Sequence, residues 1–283
     1  GTNKSIQEKI EISIMESLNS GIIPISPLNN RINNKRPVLL IHGLGDSKDN
    51  IENSLMYAEL KKNYPVYIVE YLSGPENAYG DIRDYARTLD QIIETIKIDG
   101  NVHKVDIVAH SMGGLIARFR IQKIKDDDIG KLIMIGTPNH GSDFSRQIPY
   151  NILQFLINPP FAFSLLFNDK YQKENPNQAL NEMLPRSDFL IELNGNHAAE
   201  SDVSEGGVID EISPSVTYVV LVGDQLPTYS SVQNAFVKGD GIVPFNSAKL
   251  SNVAIYPISA IHGEEFNKND IITLVKEILA QPD

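Results

Sequence analysis

The chain has no cysteine. Disulfides, thiolate catalysis and cysteine-ligated zinc are therefore excluded, and redox compartment leaves no mark on it. It is also short of positive charge: 25 lysines and arginines face 36 aspartates and glutamates, a net charge of −11. A surface of that sign repels phosphate backbones and anionic headgroups, so neither nucleic acid nor electrostatic docking on lipid is expected. A third lack is of any run able to span a bilayer. The nearest approach, residues 148–167, is uncharged but carries Asn151, Gln154, Asn158 and the pair Pro159-Pro160. Prolines there would break a spanning helix at mid-depth, and no transmembrane segment is expected. No signal peptide is legible either. The chain opens at Gly1 rather than methionine, which fits a processed end; a disulfide-free chain of this size fits any compartment, secretion or the cell surface with the export signal removed among them. What remains is an ordinary globular composition, 41% hydrophobic and 22% charged over 283 residues, enough for a single α/β domain over 1–283.

The apolar pattern alternates between two periods. Ile6, Ile10, Ile14 and Leu18 predict an N-terminal amphipathic helix. Val38-Leu39-Leu40-Ile41 is a continuous apolar run of the kind found in strands buried on both faces. A helix over residues 51–62 follows, then a strand at 66–69. Ile82, Tyr85, Ala86, Leu89, Ile92, Ile93 and Ile96 make the clearest helical stripe of the chain. Further strands are expected at 105–108, 132–135, 218–222 and 253–256, and Asp270 reads as the N-cap of a closing helix. Strand and helix alternate from Pro37 to Pro138, break at Gly141 and resume near Thr217. That order predicts an α/β fold with a mostly parallel central sheet and helices on both faces.

The chemistry-bearing string is Ala109-His110-Ser111-Met112-Gly113-Gly114. A strand runs into it, and Leu115, Ile116, Phe119 and Ile121 continue out of it at helical spacing. A serine on such a turn has its hydroxyl pushed out at the top of the sheet, and small residues must flank it because strand and helix backbones nearly touch. Gly113 meets that need, and Ala109 adds only a methyl group.

A serine hydroxyl needs a base to take its proton and an acid to orient that base. Six histidines compete. His42 is expected to brace a turn, His110 to point away from Ser111, His103 and His197 to be solvated, and His140 to form part of the site wall. His262, after the final strand in Ile261-His262-Gly263, stands where the base of such a fold belongs. The acid should lie between the two, in the order Ser, Asp, His. Asp240, flanked by Gly239 and Gly241, is favoured over Asp224 at the end of the 218–222 strand. An oxyanion hole needs two backbone N–H groups, each worth roughly 3 kcal/mol of barrier. Met112, directly after the serine, and Leu44, between Gly43 and Gly45, are the expected donors.

With these residues in view, the chain resembles the bacterial lipase and esterase branch of the α/β-hydrolase superfamily, including relatives of lecithin–cholesterol acyltransferase and lipid deacylases. The likeness rests on residues 42–45, 109–114, 136–142, 240–244 and 261–263, and on the run Met183-Leu184-Pro185-Arg186-Ser187-Asp188-Phe189-Leu190. It implies Ser111 as nucleophile, His262 as base, Asp240 as acid and an acyl-ester or lipid substrate. An insertion over 143–186 interrupts the alternation where a lid commonly sits. Phe144, Phe155, Phe161 and Phe163 give it more apolar surface than a solvent loop needs, which fits either a lid that lines an acyl pocket or opens onto a lipid surface, or a helical subdomain packed permanently on the core. No metal site and no cofactor are expected, and Asp126-Asp127-Asp128 reads as a solvated turn. Rival readings are an acyltransferase or amidase with the same residues and, from another class, a lipid-binding module without catalysis.

Overall fold

The structure, a computed structural model, describes residues 35–71, 77, 80–143, 178–195 and 212–282. The expected N-terminal helix and most of the insertion, with Phe144, Phe155, Phe161 and Phe163, lie outside the described residues, as does His197.

Six strands form one sheet: β1 (Val38–Ile41), β2 (Val66–Val69), β3 (Val105–His110), β4 (Ile129–Ile135), β5 (Thr217–Gly223) and, after a hairpin, β8 (Ala254–Ile258). Their order is β2-β1-β3-β4-β5-β8, and every neighbouring pair is parallel. The continuous apolar runs follow from covering the sheet on both sides. Leu39 and Ile41 enter one core cluster while Val38 and Leu40 enter the other, because successive strand residues point to opposite faces. α3 (Ile82–Gly100) and α4 (Met112–Lys123) pack on the first face. The second is covered by α1 (Lys48–Glu52), α2 (Leu55–Leu60) and α7 (Asn269–Ala280).

Three local expectations need correction. The helix predicted over 51–62 is two helices, because Ser54 takes an extended conformation and its side chain accepts the Tyr57 N–H, starting a new helix. Asp270 is not the cap of the closing helix. Lys268 holds that position, and Asp270 lies in the first turn, where its charge still faces the positive end of the helix dipole. Finally, β6 (Leu226–Ser230) and β7 (Ala235–Gly239) form an antiparallel hairpin outside the main sheet. Both strands are short and mixed in polarity, so no apolar period announces them.

Of the region read as an insertion, residues 178–186 pack on the domain. Ala179 and Met183, around α5 (Gln178–Glu182), are core residues, and the Ser142 N–H donates to the Met183 carbonyl at 2.8 Å. The lipase-like run continues into α6 (Asp188–Asn194), capped by Ser187. Because β1, β3, β4, β5 and β8 are parallel and in adjacent register, the loops leaving their carboxyl ends converge on one edge of the sheet.

Candidate active site

Ser111 sits between β3 and α4 with φ 51° and ψ −125°. A positive φ is strained for a residue with a side chain, and surrounding packing must hold it there. Three features do so. The Ser111 N–H donates to the Ile135 carbonyl at 2.9 Å. A Cβ on Gly113 would come within 2.7 Å of the His42 carbonyl oxygen, and one on Gly114 within 2.1 Å of Thr137 Oγ1. Any larger residue at either glycine would push the helix off the sheet.

The structure brings Ser111, Asp240 and His262 together. His262 Nε2 lies 3.0 Å from Ser111 Oγ, and Nδ1 lies 2.9 Å from Asp240 Oδ2. All three are buried. The other Asp240 oxygen accepts the Ile242 and Val243 N–H groups at 2.9 and 2.7 Å, which fixes the carboxyl plane. The flanking loops are also tied through the backbone, since the His262 N–H donates to the Asp240 carbonyl at 2.9 Å. A carboxylate only accepts, so the proton of neutral His262 belongs on Nδ1 and the Nε2 lone pair faces the hydroxyl. Burial opposes the charged imidazole, but the Asp240 carboxylate, and behind it Glu265, outweigh burial and push its pKa up to about 9.

The loop after β1 approaches the serine closely: a Cβ on Gly43 would lie 2.8 Å from Ser111 Cβ. Gly45, at φ +75°, donates its N–H to Asn77 Oδ1 at 2.9 Å, and Asn77 Nδ2 donates to the Gly43 carbonyl at 3.2 Å. The Tyr71 hydroxyl donates to the His42 carbonyl at 2.6 Å. Leu44 lies within this braced loop. Met112 is the first residue of α4, where a backbone N–H has no partner within the helix. Tyr71 and Asn77 were not singled out from the sequence. A lone tyrosine and asparagine far from any motif carry no local signal, and only the chain path brings them under the loop.

Asp224 is not brought to His262. It stays near the surface, 2.9 Å from Lys238 Nζ, whose charge holds its carboxyl below the usual range. His42 is fully buried and stacks on Tyr71 with ring centroids 4.3 Å apart, bracing the turn as the sequence suggested. Burial lowers its pKa. His140 is likewise buried, with Nδ1 3.1 Å from the Ser247 carbonyl. His110 packs beside the base. Its ring lies 4.8 Å from that of His262, and its Nε2 lies 3.3 Å from Glu265 Oε2, so it belongs to the layer around the base. Nor is Asp126-Asp127-Asp128 wholly a solvated turn: Asp128 is buried against Arg120 and Lys97. Among the described residues, His110, His262 and Glu265 offer three metal-type ligand atoms within 4.8 Å of one another. These side chains already face each other around the serine's histidine.

Comparison with known proteins places the chain in a family. The sequence model of the palmitoyl protein thioesterase family matches residues 37–223, from β1 to the end of β5. The chain belongs to that family. Among curated proteins it is 25% identical over 108 residues to the "Lysosomal thioesterase PPT2 homolog" of Drosophila melanogaster, covering 38% of this chain and 36% of that one. It is 28% identical over 114 residues to a triacylglycerol lipase of Pseudarthrobacter phenanthrenivorans, covering 38% and 35%. The matched stretch thus spans about a third of the length of these relatives. In three dimensions it superposes on the Bacillus licheniformis lipase BlEst2 in its propeptide form with a TM-score of 0.64 at 16% identity, covering 93% of this chain and 54% of that one. The Legionella pneumophila phospholipase PlaB gives 0.61 at 16% identity, covering 88% and 60%. The likeness to these solved structures shows the α/β-hydrolase fold, and the sequence model shows the family. Among the described residues, no helix is long and apolar enough to cross a membrane.

Proposed function

We propose that this protein is a serine hydrolase that cleaves lipid-like acyl esters, as oxygen esters or thioesters, through an acyl-enzyme on Ser111. The observation that carries the reading is the unbroken line of contacts from Ser111 Oγ to His262 Nε2 (3.0 Å) and from His262 Nδ1 to Asp240 Oδ2 (2.9 Å). Nucleophile, base and acid stand in the chain order of this fold.

In the proposed cycle, Oγ attacks the acyl carbon as its proton passes to Nε2. Asp240 stabilises the resulting imidazolium and keeps its orientation. The N–H groups of Leu44 and Met112 receive the negative charge that develops on the carbonyl oxygen. Collapse of the tetrahedral intermediate breaks the bond to the alkoxide or thiolate, which takes the proton from Nε2. A water then gives a proton to His262 and attacks the acyl-enzyme, and the carboxylic acid leaves as Ser111 regains its hydrogen. Membership of a thioesterase family favours including the thioester arm. The preference for long acyl chains rests on the phenylalanine-rich insertion, in which Phe144, Phe155, Phe161 and Phe163 would line the acyl pocket and meet a lipid interface.

The test is a chain-length series of p-nitrophenyl esters and acyl thioesters, with and without detergent micelles, on the wild type and Ser111→Ala. The variant should lose at least about a thousandfold in kcat, since the remaining groups supply no nucleophile. Hydrolysis unchanged in Ser111→Ala would overturn the reading.

A further inference from the structure

The proposed cycle leaves one buried carboxylate beside the base without a task. Glu265 opens a short 3-10 turn (Glu265–Asn267) three residues after His262, and it is completely buried. One oxygen, Oε2, accepts the Gly263 N–H at 2.6 Å and lies 3.3 Å from His110 Nε2. The other, Oε1, is buried with no hydrogen-bond partner among the described residues and lies 4.0 Å from His262 Nδ1. An orphaned buried carboxylate oxygen is costly, and it survives only where a neighbouring positive charge compensates it. Here the charge it faces is that of the His262 imidazolium.

Gly136 keeps this region open. Its φ is +59°, and a Cβ there would stand 3.1 Å from Glu265 Oε1, 3.2 Å from His262 Nδ1 and 3.3 Å from Asp240 Oδ2. Both carboxylates therefore aim an oxygen toward the same nitrogen from around one empty point. The groups facing His262 are Asp240 from the loop after β7, Glu265 from its own loop, and His110 and Ser111 from the end of β3. Beyond His110 stand His42 and, farther out, Asp46.

We propose that Glu265 is a second acid for His262, a positioning residue that raises the proton affinity of the imidazole and partly replaces Asp240 when that carboxylate is neutralised. His110 and the Gly263 N–H hold it in place without bringing it to the substrate. The proposal rests on the serine-hydrolase reading, because only there does the charge on His262 have a role. Two carboxylates near one nitrogen favour the imidazolium, so the neutral base appears only on the alkaline side of neutrality. Burial would raise the Glu265 carboxyl, but His110, then His262, overrides burial and pulls its pKa down, which keeps it ionised through that range.

The experiment is the pH dependence of kcat/KM on one soluble ester for the wild type, Glu265→Gln, Asp240→Asn and Asp240→Asn/Glu265→Gln, with Ser111→Ala as background. Glu265→Gln should move the acid limb down by roughly one pH unit, about a fivefold gain in relative rate one unit below the wild-type midpoint. A merely structural loss would lower the whole curve without moving its limb. Asp240→Asn should keep a rate well above the Ser111→Ala background, and the double variant should fall to that background. An unmoved limb in a folded Glu265→Gln protein would overturn the proposal. If Glu265→Gln does not fold, the decision passes to Asp240→Asn, where a rate already at background would overturn it. If Ser111→Ala itself retains the wild-type rate, the serine-hydrolase reading has failed instead, and the two failures are distinguishable.

Discussion

Two edges of the same parallel sheet hold buried acids in opposite ways. At the amino-terminal edge, Asp106 lies 2.8 Å from Arg36 and accepts the Lys131 N–H at 2.9 Å, while Asp128 is bound by Arg120 and by Lys97 at 3.1 Å. At the carboxyl edge, Asp240 and Glu265 face His262 and His110 instead. An arginine keeps its charge at every pH the protein meets, whereas a histidine gains and loses its charge near neutrality. The first edge is a set of permanent ties. The second can accept a proton and release it, and it also contains the strained serine and the orphaned oxygen of Glu265. Strain and unpaired polar atoms concentrate where the fold gives up stability for chemistry.

Substitutions at the two edges should therefore separate activity from stability. Among the acids, the largest effect is expected for Asp240→Asn, roughly a hundredfold loss in kcat with little change in Tm, because the tautomer and orientation of His262 suffer while Glu265 remains. Asp224→Asn is its control: this near-surface acid, paired with Lys238, should leave kcat within twofold. Equal losses in the two variants would erase the distinction between them. Next comes Gly136→Ala. It forces a side chain into a φ of +59° and crowds three polar atoms at 3.1–3.3 Å. It should cost about 1–2 kcal/mol of stability by denaturant titration and depress kcat more than KM.

The smallest effect on catalysis is expected for Asp128→Asn, at the other edge. Burial would raise this carboxyl, but Arg120 and then Lys97 hold its pKa down at about 2. A folded-state pKa below the unfolded value contributes stability that is present above about pH 4 and fades as pH falls toward 2. Asp128→Asn should thus cost about 1–2 kcal/mol at pH 7 after solvent screening, and progressively less in acid, with kcat unchanged. A pH-independent loss would show that packing rather than charge is responsible.

The strands and the serine turn were legible because their signals are local. Val38-Leu39-Leu40-Ile41 is apolar at every position since both sheet faces are covered, and Ser111 stands among small residues because two backbones meet there. Asp240 and His262 were legible through chain order and position after strands. Glu265 was not, although it follows His262 by three residues, because only the 3-10 turn folds it back toward the imidazole. His110 was expected to turn away from the serine. It does not touch Ser111 Oγ, yet the same orientation takes it to His262 and Glu265. Asn77 and Tyr71 make contacts about thirty residues away in sequence, which no periodicity encodes, and the Arg120–Asp128 pair closes across the loop between α4 and β4, where no apolar pattern runs.

The central claim is that Ser111 carries the acyl group. It is tested most directly by mixing the protein with a long-chain p-nitrophenyl ester or acyl thioester, quenching in acid within the first turnovers, and locating the adduct by peptide mass spectrometry. The account predicts one acyl mass on the peptide containing Ser111 and none in Ser111→Ala. Continued hydrolysis with the acyl group on another residue, or with the same adduct in Ser111→Ala, would contradict it.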